Sequence, residues 1–170
     1  MTRALFALPL LALLAGCAGY RLGSPVPEAY RTVHVAAFEN GTDYPMAGAI
    51  ASQQLLDALI EDGTFAPAAY DKARLRVQAV VQAPSTSAVR YSRNKHNVPD
   101  EYHVALTARL YVFDAKTGKT YVNGKPITAV DSALTREDYQ TGIQDALPRV
   151  ARRLAQSILT ELHSLDLPQE

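Results

Sequence analysis

Few side chains in this chain are of a kind that does chemistry. There is one cysteine, Cys17, and there are four histidines, His34, His96, His103 and His163. The histidines show no metal-ligand spacing, so no metal site is expected. No Gly-x-Ser-x-Gly elbow exists to present a nucleophilic serine. Asp100–Glu101 and Glu137–Asp138 read as loop solvation and a helix start rather than as acid–base pairs. Gly118-Lys119-Thr120 lacks the upstream glycine of a phosphate loop, where Phe113 stands instead. Positional charge is what remains. Arg90, Arg93, Lys95 and His96 crowd one sheet-end loop around Tyr91. Arg136 opens the last helix, where a cation opposes the helix dipole by some tenths of a kcal/mol. Solvated loop charge explains these residues; so does a set of cations that meets an anion. Arg149, Arg152 and Arg153 fall mostly off the apolar stripe and read as a solvated helix face. Neither an enzyme nor a cofactor is expected.

Cys17 has no internal disulfide partner. It follows Met1-Thr2-Arg3 and the uncharged run from Ala4 to Leu14, with Ala15 and Gly16 immediately before it. One basic residue, a short apolar region and small residues at its end make a secretory leader. The run is shorter than the ~20 apolar residues a membrane span needs. Leu14-Ala15-Gly16-Cys17 resembles the bacterial lipobox, in which the leader is cut before the cysteine and acyl chains are attached to its thiol and new amino terminus. A cysteine of an ordinary signal or core helix, or a free thiol, is the alternative. Each buried methylene contributes about 0.8 kcal/mol, so several chains give a stable tether where one does not. Residue 18 is Ala rather than Asp, which in the lipoproteins this leader resembles favours the outer membrane.

The whole chain of 170 residues carries 17 basic and 17 acidic side chains. Removing residues 1–16 takes away Arg3 and no acid, leaving a nearly neutral mature chain. It lacks the positive excess of a general nucleic-acid binder and has no charged tail. The remaining length, about 150 residues, makes one domain the natural count. The organisation expected is a leader over 1–16, a lipidated extended linker over 17–31 and a single domain over 32–170.

Hydrophobic period supplies the elements. Thr32 to Phe38 reads as a strand, Glu39 to Asp43 as a turn, and Pro45 suits a helix's first turn. Ile50, Leu55, Leu56, Leu59 and Ile60 form a stripe, with Gly63 as its stop. From Arg74 to Ala83, Leu75, Val77, Ala79, Val81 and Ala83 share one face, a half-buried strand. Strand, helix, strand implies a crossover with parallel neighbours. A short strand over Ser87 to Arg93 precedes the polar loop 94–100. Tyr102, Val104, Leu106, Ala108, Leu110 and Val112 then alternate with His103, Thr107, Arg109 and Tyr111. After a turn at Lys116–Lys119, Thr120 to Ser132 returns with a bend expected at Asn123–Gly124. Thr135 and Asp138 are spaced as a capping box. The stripe Ile143, Leu147, Val150, Ala151, Leu154, Ile158, Leu162 and Leu165 predicts a long helix, kinked or broken at Pro148. The fold expected is an α+β two-layer sandwich: a mixed four- to five-stranded sheet with two helices on one face.

In order along the chain, these features resemble the LPS-assembly lipoprotein family, LptE. The resemblance is carried by Cys17 with Gly19-Tyr20-Arg21-Leu22, Val33 to Phe38, Leu59-Ile60-Glu61-Asp62-Gly63, the strand after Ala73, Glu101-Tyr102 and the closing helix. It spans essentially the whole mature chain, with Ala18 inserted after the cysteine and a longer loop over 94–100. It implies a non-catalytic, lipid-anchored, periplasm-facing outer-membrane subunit that plugs the β-barrel of LptD, supports its assembly and assists lipopolysaccharide delivery. It implies too that Arg93, just before the Glu101-Tyr102 strand, and Arg136, at the opening of the last helix, occupy the basic segments that bind lipopolysaccharide; Arg90 and Lys95 of the same charge cluster are further candidates. The competing reading is a general envelope-scaffold lipoprotein that binds another protein or peptidoglycan.

Overall fold

The computed structural model describes residues 26–91, 99–134 and 139–169. Cys17, Arg93, Lys95, His96, Arg136 and the Thr135–Asp138 pair lie outside them. The segment read as linker contains folded structure. Val26 and Tyr30 are buried, joined by a 3-10 turn over Glu28–Tyr30.

Strands β1 (Thr32–Val35) and β2 (Glu39–Gly41) precede helix α1 (Ala47–Asp62). Then come β3 (Ala66–Pro67), β4 (Leu75–Gln82), β5 (Ser85–Tyr91), β6 (Pro99–Asp114), β7 (Thr120–Leu134) and helix α2 (Tyr139–His163). The strands form one mixed sheet of seven, more than the four or five expected. The reason is interruption. β1 and β2 both run parallel along the same edge of β4, separated where Phe38 turns into the core. β4 and β5 both run antiparallel along one edge of β6, separated at Pro84, which has no N–H to give a ladder. β7 covers the other edge of β6 from Glu101 to Phe113.

Glu39–Asp43 was expected as a turn, yet Glu39, Asn40 and Gly41 pair with Val80, Val81 and Gln82. All three are exposed, so no burial period marked the strand. Pro45 sits two residues before the helix, and α1 begins after Met46, which takes a left-handed φ of 66°. Gly63 ends it at φ 70° with its N–H on the Leu59 carbonyl, the expected stop. The bend at Asn123–Gly124 is a bulge: Leu110 pairs with Lys125 and Tyr111 with Asn123, leaving Gly124 extra at φ 68°. Helix α2 runs through Pro148 without a break. Pro148 is on its exposed side, while Leu147, Val150 and Ala151 pack inward and hold the turns around it.

Both helices pack on one face of the sheet. Leu75, Val77, Ala79 and Val81 from β4 and Leu106, Ala108, Leu110 and Val112 from β6 share one core with Leu55 and Leu59 of α1 and Val150, Leu154, Ile158 and Leu162 of α2. Each valine, leucine or isoleucine among them contributes roughly 1.5–3 kcal/mol by its burial. Two residues depart from their expected stripes. Ile60 is 66% exposed, and Ala83, beyond the end of β4, faces solvent.

Candidate functional site

Because strand side chains alternate, burying one face of the sheet against both helices exposes the other. The register orders that open face into rungs. At one end Arg90, Glu101 and Leu134 stand side by side on β5, β6 and β7. Ser87, His103 and Ser132 form the next rung, then Ser85, Ala105 and Val130. Further along, the hydroxyls of Thr107 and Thr128 meet at 2.8 Å. Arg109 lies beside Val80 and Pro126, and Tyr111 beside Gln78 and Asn123. The strip runs from a hydroxyl-rich end to an aromatic one.

Of the proposed basic cluster, the described residues contain Arg90. Its Nη2 lies 3.6 Å from Glu101 Oε2 and its side chain is 63% exposed. An exposed pair of that length adds little stability, so the guanidinium is available to a ligand. The residues flanking the other candidates converge. Tyr91 pairs with Pro99, Leu134 with Glu101, and the Tyr139 ring meets Tyr102 edge to face at 5.0 Å. Tyr91, Pro99, Leu134 and Tyr139, the described residues nearest in sequence to Arg93, Lys95 and Arg136, thus gather at one end of the sheet. That end is bonded to α2. The Thr86 hydroxyl lies 2.7 Å from the Tyr139 hydroxyl, and Tyr44 donates to Gln140 Oε1 at 3.3 Å. Burial, then the nearby Tyr139 and Asp43, raises the Tyr44 phenol above its ordinary value, so it stays a neutral donor.

The aromatic end was not singled out from sequence, although alternation had placed Tyr111 on the solvent face. The Tyr111 and Phe113 rings are parallel within 7°, their centroids 6.5 Å apart. They wall a hollow of about 560 Å³ with Gln78, Val80, Asn123 and the Ala36–Ala37 gap between β1 and β2. Nearby, Arg76 stacks on Tyr70, its guanidinium carbon 3.6 Å from the ring centre. Among the described residues no cluster of three His, Cys, Asp or Glu side chains could hold a metal. Nor is any described helix long and apolar enough to cross a membrane.

A sheet with one face under two helices is a fold this chain shares with solved bacterial proteins, two of them lipoproteins by name. The uncharacterised lipoprotein B of Nitrosomonas europaea is 12% identical, covers 86% of this chain and 91% of its own, and superposes with a TM-score of 0.56. A minor lipoprotein of Acinetobacter baumannii is 15% identical over 80% of this chain and 96% of its own, at 0.55. A hypothetical protein of Chlamydia trachomatis is 12% identical over 78% and 95%, at 0.52. At such identities the likeness establishes the fold. The sequence is more specific: residues 30–162 match the LptE lipopolysaccharide-assembly family, and the chain belongs to it. No curated protein matches the chain.

Proposed function

We propose that this protein is a non-catalytic, lipid-anchored outer-membrane subunit that plugs the LptD β-barrel, supports its assembly and assists lipopolysaccharide delivery to the outer leaflet. Family membership over residues 30–162 is the observation that carries this reading. The anchor is Cys17, acylated after the leader is cut. The open sheet face and the long β7 strand, whose outer edge has no neighbour among the described strands, face the barrel wall. Arg90, Arg93, Lys95 and Arg136 give charge-assisted bonds to lipopolysaccharide phosphates, for which guanidinium forks are well shaped.

The test is affinity purification of the protein from detergent-extracted membranes, alongside Cys17→Ala. Wild type should bring down a β-barrel of the LptD kind and carry acyl mass on Cys17, and Cys17→Ala should lose stable membrane association. Recovery of peptidoglycan fragments or a soluble scaffold in place of a barrel would support the envelope-scaffold alternative instead.

A further inference from the structure

We infer that the groove between β7 and the exposed face of α2 binds a phosphate-bearing ligand through Arg149, Arg152 and Arg153. This site lies on the helix side of the sheet, in a different layer from the open face and Arg90. Residues three and four apart share a helix face, so Arg149, Arg152, Arg153 and Gln156 point into one space. Gln54 of α1 and Asp131 of β7 complete the lining of a groove of about 540 Å³, within the size range of small-molecule sites.

Charge makes the groove an anion site. Its lining holds three guanidiniums and one carboxylate. Asp131 Oδ2 lies 3.5 Å from the Nε of both Arg149 and Arg153, shared loosely between two cations and neutralising neither fully. Like charges at helical spacings of three and four repel, so the cluster is unfavourable until an anion enters. Arg149 is already oriented, since it donates to the Asp145 carbonyl at 3.0 Å and to the Ser132 carbonyl at 2.8 Å. Arg152 donates from Nε to Gln54 Oε1 at 3.2 Å. The terminal guanidinium nitrogens of Arg152 and Arg153 have no partner among the described residues. Open forks of this kind bind oxyanions in paired bonds. A tetrahedral phosphate can meet guanidiniums from several directions at once, whereas a planar carboxylate fills one fork. Asp57 and Glu61 line the adjoining hollow on the far side of Arg152, which biases the anion toward the space between Arg152 and Arg153. The volume suits a phosphosugar, a pyrophosphate or a phosphomonoester headgroup.

The experiment uses the full mature chain in detergent at fixed ionic strength. Inorganic phosphate, pyrophosphate and mixed micelles of phosphatidic acid are compared with phosphatidylcholine micelles, read by arginine Nε–H NMR shifts and calorimetry. Saturable shifts of the three arginines are expected. Arg152→Gln/Arg153→Gln should weaken binding at least tenfold without changing the melting temperature, and Asp131→Asn, which removes the competing carboxylate, should tighten it severalfold. Arg90→Gln should leave it unchanged. Preference for pyrophosphate assigns a soluble phosphate, and preference for phosphatidic acid assigns a lipid headgroup. Absence of saturation, or equal binding by the double variant, overturns the site. So does an aspartate-rich peptide that outcompetes every phosphate, since it would make the groove a protein dock.

Discussion

Arg74 and Asp114, forty residues apart in sequence, form a forked ion pair at the foot of the sheet: Nε to Oδ1 at 2.9 Å and Nη2 to Oδ2 at 3.2 Å. Both are largely withdrawn from water, with side-chain exposures of 11% and 1%. The same guanidinium donates to the Tyr30 hydroxyl at 2.8 Å and lies 4.3 Å from the centre of its ring. Asp114 also accepts the backbone N–H groups of Lys116 and Thr117, which shapes the turn into β7. One pair therefore joins the entry segment, the start of β4 and the end of β6.

Burial by itself would raise the Asp114 carboxyl, but Arg74 and the turn N–H groups outweigh it and hold it at about 2. Its unfolded value is about 3.9. A depressed folded value means that the stabilisation is fully present above about pH 5 and is lost as pH falls toward 2, a contribution of roughly 2–3 kcal/mol. Denaturant melts of wild type and Asp114→Asn should differ by about 3 kcal/mol at pH 7, because the variant leaves the Arg74 charge half-paired in the interior. The gap should narrow by pH 2.5. A gap independent of pH would show that the pair does not supply the acid sensitivity.

Neighbouring residues of β4 should respond oppositely to the same charge. Val77 is fully buried between sheet and helices, so Val77→Asp should abolish folding or cost more than 3 kcal/mol. Gln78 points to solvent, and Gln78→Asp should stay within about 1 kcal/mol in thermal melts. Equal tolerance of both would invert the assigned faces.

Gly48 tests packing against propensity. Alanine is preferred inside helices by about 1 kcal/mol, so Gly48→Ala would stabilise an isolated α1. Here a Cβ would stand 2.4 Å from the Phe38 carbonyl oxygen and 3.3 Å from the Asn40 nitrogen, both rigid backbone atoms. The variant should therefore lose about 1–3 kcal/mol, comparable to overpacking a core, measured by urea denaturation. A stabilised variant would mean that the β1–β2 connection yields easily.

Ligand binding by the sheet-end cations is tested with Arg93→Asp/Arg136→Asp. Each charge-assisted bond contributes roughly 1.5–3 kcal/mol, so the double variant should bind lipopolysaccharide at least tenfold more weakly at matched salt while its melting temperature holds. Added salt should weaken the wild type if the binding is ionic, since salt screens charge. Unchanged binding by a folded double variant would make these arginines ordinary surface charge.

Sequence alone determined the elements that bury a face. Leu75 to Val81 and Val104 to Val112 alternate because every second side chain must leave water, and the α2 stripe repeats because a helix turns once in 3.6 residues. The end of α1 was legible in Gly63, the residue best suited to a left-handed φ. Tertiary structure decided whatever depends on backbone pairing without burial. Glu39–Gly41 and Ala66–Pro67 become strands because β4 and β1 present them with unpaired N–H and C=O groups, and exposed side chains leave no period to read. It decided too which distant charges meet. Arg74 finds Asp114, and Asp131 faces Arg149 and Arg153, only once sheet register and helix placement are set. Spacing along a chain reports which side of its own element a residue occupies, while the partner across the gap depends on how the elements pack.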